Sequence, residues 1–275
     1  MSKGVIFDLD DTLYLEADYV RSGFRAVAEW LDSRQPTADC RRQIEQELWT
    51  LYRRNPSRVF DRWVERLGTD SCLGLTRDEL VKRMVEIYRR HKPDIQPCPD
   101  VVPALVRMSH HQLAILSDGE PERQEQKLAA LGIEHLFRHV LFAGHDSEWR
   151  KPSSAGFQRL AGLLGLQPLD CVYVADNPAK DFAGPCEIGM RTVRIRRSGG
   201  LHERAECAPG FEPEETLSDF RSLPEAIERL GNGPEPGYPV SLLELANRRL
   251  RGFPQNHNRC NLRNLRLRPL HGESR

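Results

Sequence analysis

What the chain lacks narrows its class before any motif is read. It has no net charge, because 40 Lys and Arg balance 40 Asp and Glu. Bulk electrostatics therefore draws it neither to nucleic acid nor to an anionic membrane surface. It has no apolar run near the roughly 18 residues that a membrane-spanning helix needs. Met1 to Gly4 lead straight into an apolar stretch, which leaves no room for a signal peptide. It has no C-x-x-C pair, and its seven cysteines (Cys40, Cys72, Cys98, Cys171, Cys186, Cys207 and Cys260) are odd in number and scattered. That spacing argues against a zinc site or a disulfide framework. The expectation is a reduced, cytoplasmic globular protein. Its 275 residues suffice for one large domain or a domain with a subdomain.

What is present is an alternation. Short apolar runs recur at residues 3–7 (KGVIF), 113–116 (LAIL), 140–142 (VLF), 171–174 (CVYV) and 192–195 (TVRI). Helical patterns separate most of them; residues 122–131 stop at Gly132 and residues 153–164 at Gly165. Buried strands alternating with helices indicate an α/β domain with a largely parallel sheet. Ligands of such sheets bind beyond the carboxyl ends of the strands. The polar residues that follow each run are therefore the candidates for chemistry.

One stretch breaks the alternation. Residues 17–92 show helical stripes and no convincing strand. Tyr19, Val20, Phe24, Val27 and Leu31 share a face. So do Ile44, Leu48, Leu51 and Tyr52, and then Val59, Phe60, Trp63, Val64 and Leu67. Thr76 with Glu79 reads as a capping box that opens a helix through Leu80, Met84 and Ile87. Core packing accounts for these stripes. Pro93, Pro97 and Pro99 mark the return to the alternating pattern. At the other end, residues 231–239 (GNGPEPGYP) read as a linker. Residues 241–275 carry eight arginines against Glu244 and Glu273, a surplus of six positive charges with little to bury. A solvated tail is the expectation; few aromatics are available there for stacking on nucleic-acid bases.

Asp8 and Asp10 follow the first apolar run in the sequence DLDDT. Two carboxylates that close repel unless a cation or proton intervenes, and hard oxygen ligands favour Mg²⁺. One carboxylate could attack phosphorus while its neighbour handles protons; an acidic cap or turn is the plain alternative. Ser117 ends the LAIL run before Asp118 and Gly119. Its hydroxyl, with backbone N–H groups freed by Gly119, suits a phosphoryl oxygen, although a Ser-Asp-Gly turn explains it as well. Lys151, before Pro152 and a helix, could neutralise a nucleophilic Asp and a phosphate together. Asp176 ends the CVYV run and Asp181 follows it. The pair can hold a cation and orient its ligands, and Asp181 could also cap the next helix.

Taken in order, these residues resemble the haloacid dehalogenase-like (HAD) superfamily. DxDxT matches its first motif (Asp8, Asp10, Thr12), Ser117 its second, Lys151 its third, and DNPAKD its fourth (Asp176, Asp181). The resemblance covers roughly residues 3–230. It implies a Rossmann-like parallel sheet flanked by helices, made of residues 1–16 and 93–230. Residues 17–92 would be an inserted all-helical cap of the family's C1 type that closes over the site, and 231–275 the linker and basic tail. By similarity, Asp8 is the nucleophile and forms an aspartyl-phosphate. Asp10 protonates the leaving oxygen and then activates water. Mg²⁺ is held by Asp8, the backbone carbonyl of Asp10, and Asp176, with Asp181 supporting that shell. Ser117 and Lys151 bind the phosphoryl group, and Thr12 steadies the first loop. Two positions depart from the family pattern: Asp118 stands where Asn is common, and Ala175 where Gly is common.

The implied activity is Mg²⁺-dependent hydrolysis of a small, soluble phosphate ester, with a sugar phosphate favoured by analogy. Dehalogenases of the family lack the second acid, so Asp10 points to phosphate chemistry. A phosphotransferase or mutase of the same superfamily would share the core. A non-enzymatic receiver domain would have neither Asp176 with Asp181 nor the long insertion. A binding protein with a decayed core would not retain every motif residue. Arg21 and Arg25, on the first helix of the insertion, could face an anionic substrate; a solvated face is the plainer reading.

Overall fold

The computed structural model describes residues 3–34, 40–67, 71–145 and 147–232. They fold into two compact units, one of residues up to Leu15 together with the chain from Gln96 onward, the other Glu16–Ile95. In the first unit six strands form one parallel sheet, in the order β5-β4-β1-β6-β7-β8. They are β1 (Gly4–Phe7), β4 (Gln112–Asp118), β5 (His139–Ala143), β6 (Cys171–Ala175), β7 (Arg191–Ile195) and β8 (Glu215–Leu217). The central strand β1 is buried throughout and runs between β4 and β6, so its side chains face covered layers on both sides. That explains why it reads as an unbroken apolar run. Phe7 lies level with Ile115 and Val174. Asp8, Ser117 and Asp176 thus emerge at one edge of the sheet, just past this level.

The two-residue period of the strands sorts the core. Ile6, Ala114, Leu116, Tyr173 and Ala175 pack with Phe157, Leu160, Ala161 and Leu164 of helix α7 (Ala155–Leu164). The next residue in β1, Phe7, faces the other way, stacked 5.8 Å from Phe220 and edge-on to Phe137 at 6.0 Å. Each such fully buried side chain contributes on the order of 1.5–3 kcal/mol. Helix α6 (Pro121–Leu131) stops at Gly132 with φ 68°, and α7 at Gly165 with φ 69°, a left-handed conformation that glycine adopts without steric cost. Helix α5 (Val101–Arg107) and the short α8 (Ala183–Glu187) complete the inter-strand connections.

Three features of this unit escape the sequence reading. Strand β8 has three residues and none fully buried, too little pattern to read. Helix α9 (Leu223–Asn232) buries Leu223, Ala226, Ile227 and Leu230 at helical spacing. It also takes in Gly231 and Asn232, which the sequence assigned to the linker. The rest of the expected linker and the basic tail lie outside the described residues. Because α9 ends at Asn232, truncation there is expected to leave a folded, active protein with a lower isoelectric point. Loss of the thermal transition in that variant would contradict this.

The second unit holds α1 (Glu16–Asp32), α2 (Cys40–Arg54), α3 (Val59–Arg66) and α4 (Arg77–Arg90) around one apolar cluster. The expected stripes form it, except for Tyr19, which is buried against the rings of Tyr88 and His91, and Leu67, at the end of α3, which is 36% exposed. The Thr76–Glu79 capping box is present. The unit is not all-helical. Ser71–Cys72 (β2) and Leu75–Thr76 (β3) pair antiparallel across Leu73 and Gly74, whose φ values of 59° and 73° are those of a primed hairpin turn. Two-residue strands leave no periodicity to read. Gly23 permits a close helix crossing, since a Cβ there would lie 2.4 Å from the ring of Tyr88. Arg21 lies over Trp49 at 4.3 Å and Arg25 pairs with Asp94 at 2.6 Å, so both are engaged within this unit. Among the described residues no helix is long and apolar enough to cross a membrane.

Candidate active site

Strand ends set the first carboxylate. The Asp8 N–H donates to the Val174 carbonyl at 2.9 Å, which extends the β1–β6 pairing past Phe7. The Asp8 side chain is buried beside two others, and oxygens of Asp8, Asp176 and Asp181 lie within 4.8 Å of one another. Lys151 reaches this triad from the loop before α7. Its Nζ lies 2.9 Å from Asp8, 2.7 Å from Asp181 and 2.8 Å from the hydroxyl of Tyr173. Burial works against the Lys151 charge, but Asp181 and Asp8 outweigh it and raise its pKa well above the ordinary lysine range. Burial also pushes the Asp8 carboxyl up, partly offset by Lys151.

Asp176 is the uncompensated member. Its Oδ1 accepts a long bond from the Thr12 hydroxyl at 3.5 Å, while its Oδ2 is buried with no hydrogen-bond partner. Burial, then repulsion from Asp181, Asp8 and Asp11, raises its pKa to about 9. An orphaned carboxylate oxygen facing two more carboxylates is costly unless a cation joins it. An all-oxygen donor set of this kind fits a hard divalent ion. Asp181 is not a helix cap, since α8 begins after Phe182. Its Oδ2 instead accepts the Asn177 N–H at 2.9 Å, which folds the loop after β6 so that Asp176 and Asp181 face each other.

The carboxylate of Asp10 belongs to a second network. Its Oδ1 is 2.7 Å from Lys127 Nζ and accepts from the Tyr14 hydroxyl, and its Oδ2 accepts from Gln124 Nε2 at 3.0 Å. Burial pushes this carboxyl up, but the Lys127 ammonium and the three hydrogen bonds prevail and hold it below its ordinary range. Gln124 Nε2 also lies 2.8 Å from Ser117 Oγ and 2.9 Å from the Asp118 carbonyl. Ser117 and Asp10 are thus joined through one amide on α6. Of the expected metal-binding residues, Asp8 and Asp176 stand together with Asp181. The Asp10 side chain is turned to Lys127, which leaves only its backbone carbonyl to contribute.

Of the backbone N–H groups around Gly119, that of Gly119 itself donates to the Ala143 carbonyl at 3.0 Å. The Asp118 carboxylate accepts the Lys151 backbone N–H at 3.1 Å and pairs with Lys180 at 3.3 Å. Sequence reasoning also missed the supports below the site. Asp11, with φ 53°, accepts the Leu201 N–H at 2.9 Å. Arg197 donates to the Thr12 carbonyl at 3.1 Å and Arg194 to the Asp176 carbonyl at 3.2 Å. Lys127 and Gln124, also missed, left the clearest trace in the sequence, two polar residues three apart on the face of α6 that also carries Leu128 and Leu131.

Fold and site define a doubly wound α/β protein with a carboxylate cluster at the carboxyl end of its central strand. Comparison with known proteins makes this specific. The model of the haloacid dehalogenase-like hydrolases matches residues 2–185, and a second model, HAD-hydrolase-like, matches 148–223. A glyceraldehyde 3-phosphate phosphatase of Methanopyrus kandleri is 34% identical over 239 residues, covering 81% of this chain and 99% of that one. An N-acylneuraminate-9-phosphatase of Rattus norvegicus is 25% identical, covering 83% and 94%. Among solved structures, a magnesium-bound HAD hydrolase of Bacillus subtilis superposes with a TM-score of 0.57 at 16% identity, covering 82% of this chain and 98% of that one. The chain belongs to the haloacid dehalogenase-like hydrolases.

Proposed function

We propose that this hydrolase cleaves small phosphate monoesters through a phosphorylated Asp8. The observation that supports this most is the separation of roles among buried carboxylates. Asp8 sits with Asp176 and its orphaned oxygen, while Asp10 is held apart by Lys127. Asp8 attacks the phosphorus and displaces the alcohol oxygen, and Asp10 supplies the proton that oxygen needs. Asp10 then takes a proton from the water that opens the aspartyl-phosphate and releases inorganic phosphate. Lys127 favours the ionised form of Asp10 that this second step requires, so the first step draws on the protonated minority of Asp10. Asp8, Asp176 and the Asp10 carbonyl are the proposed Mg²⁺ ligands, with Asp181 behind them. Bound by these residues, Mg²⁺ would supply charge neutralisation for the nucleophile and the transferring phosphoryl group. Ser117 and Lys151 complete the phosphoryl site, and Thr12 steadies Asp176. The second unit is the proposed cap. A sugar phosphate is the favoured substrate class, since the relatives' names specify a triose phosphate and a phosphorylated sugar acid.

Metal removal tests this reading. Activity on p-nitrophenyl phosphate is expected to vanish in EDTA and return with Mg²⁺. Ca²⁺ should support it poorly, because its looser coordination misplaces the nucleophile. The pKa of Asp176 adds a pH signature. Without metal the folded chain keeps this proton up to about pH 9, whereas the unfolded chain releases it near 3.8. Stability of the metal-free protein should therefore fall as pH rises between these values. Mg²⁺ must displace the same proton, so its apparent affinity should rise roughly tenfold per pH unit around neutrality. Full activity in EDTA, or a pH-independent Mg²⁺ affinity, would contradict the assignment.

A further inference from the structure

His202 stands in the loop after β7, at the same edge of the sheet as Asp8 and Asp176, and the proposed reaction does not use it. Its backbone is fixed from two sides. The Arg194 guanidinium donates to the carbonyls of His202 and Ala205, both at 2.8 Å, and to the Asp176 carbonyl at 3.2 Å. The neighbouring Leu201 N–H is held by Asp11 at 2.9 Å. The imidazole itself is partly buried, and none of the described residues hydrogen-bonds to either of its ring nitrogens. Other rings are engaged: His91 meets the Tyr88 carbonyl, and His110 and His111 meet Glu228. Burial, joined by Lys180 and Arg194, outweighs the pull of Asp11 and Asp181 and holds the His202 pKa below the ordinary histidine range. The same balance places the ring within electrostatic reach of Asp181 and Lys180, beside the phosphoryl site.

We infer that His202 is a specificity-determining residue that contacts the leaving-group alcohol through a hydroxyl carried close to the phosphoester. The inference rests on the reading of this site as a phosphoryl site, and it narrows the substrate class to phosphate esters of polyols and sugars. A neutral imidazole has one N–H donor and one nitrogen lone pair. A hydroxyl, which both donates and accepts, can use either. A phosphoryl oxygen or a carboxylate only accepts, and gains more from a cation. The ring therefore suits the alcohol part of the substrate and not its phosphate. The fixed backbone matters for the same reason: a ring held in place before the substrate arrives loses less freedom on binding it. An ester without the hydroxyl would leave the ring nitrogens unmatched as the substrate displaces water from them.

The test compares two esters of the same chain length, glycerol 3-phosphate and n-propyl phosphate, in steady-state kinetics with Mg²⁺. The wild type should show the higher kcat/KM on glycerol 3-phosphate. His202→Ala should reduce that preference by roughly three- to tenfold, the range for one neutral hydrogen bond. The contact is made to bound substrate and transition state alike, so the loss should fall on KM more than on kcat. His202→Gln, which keeps a donor and an acceptor, should recover part of the preference. His202→Phe keeps a planar ring without nitrogens and carries the comparison if His202→Ala fails to fold. Inhibition by inorganic phosphate, which has no alcohol part, should stay within twofold in every variant. If the wild type hydrolyses p-nitrophenyl phosphate but shows no preference between the two esters, the inference is overturned while the site reading stands. The same holds if His202→Ala or His202→Phe keeps the preference within twofold, or weakens inorganic phosphate as much as glycerol 3-phosphate. If the wild type hydrolyses no phosphate ester, the site reading falls and the inference with it.

Discussion

Asp8→Asn is expected to lose several orders of magnitude in both kcat and kcat/KM, on the scale seen when other covalent nucleophiles are removed. An amide is a very poor nucleophile, and nothing else in the triad replaces it. Asp181 is tied to Lys151 and the Asn177 N–H, and Asp176 to Thr12. Asp10→Asn should behave differently, with a loss of roughly 10²–10⁴-fold, the value of a positioned proton-transfer group. With p-nitrophenolate as the leaving group, protonation matters little in the first step and water activation still matters in the second. Equal and small effects of the two substitutions would remove the distinction between nucleophile and proton-transfer group.

Lys151→Met should produce the largest loss of stability of any single substitution at the site. The change leaves Asp8 and Asp181 buried without their shared cation. Breaking a buried pair in this way costs about 3–5 kcal/mol. Urea denaturation of the metal-free protein would measure it. Adding Mg²⁺ should recover part of the loss, because a cation then returns to the same carboxylates. Lys151→Met with Asp181→Asn should be more stable than Lys151→Met alone, one buried charge having been removed with its partner. A loss under about 1 kcal/mol would mean that the carboxylates take up protons at little cost.

Much of this site is legible in the sequence because strands advertise their ends. Asp8, Ser117 and Asp176 each follow an apolar run, and parallel pairing brings those ends to one edge of the sheet. Lys151 is legible through its position before a helix. What is not legible depends on side chains that meet only after the chain is folded. Lys127 is 117 residues from Asp10, and its position on α6 does not show which carboxylate it will reach. Tyr173 sits in an aliphatic strand and reads as core, though its hydroxyl holds Lys151. Asp118 reads as an excess negative charge until Lys180 is seen beside it. The β2–β3 ribbon, β8 and the end of α9 are hidden for a simpler reason: they are short, or begin where turn residues dominate.

The central claim is that phosphate passes through Asp8, and intact-protein mass spectrometry after a rapid acid quench tests it most directly. On the proposed reading, Asp10→Asn should retain the nucleophile but activate water poorly. With p-nitrophenyl phosphate and Mg²⁺ it should accumulate protein carrying one added phosphoryl mass, and fragmentation should place that mass on Asp8. Asp8→Asn should carry none. A phosphoryl label on Asp8→Asn, or near-normal turnover by it, would contradict the assignment of Asp8 as the nucleophile.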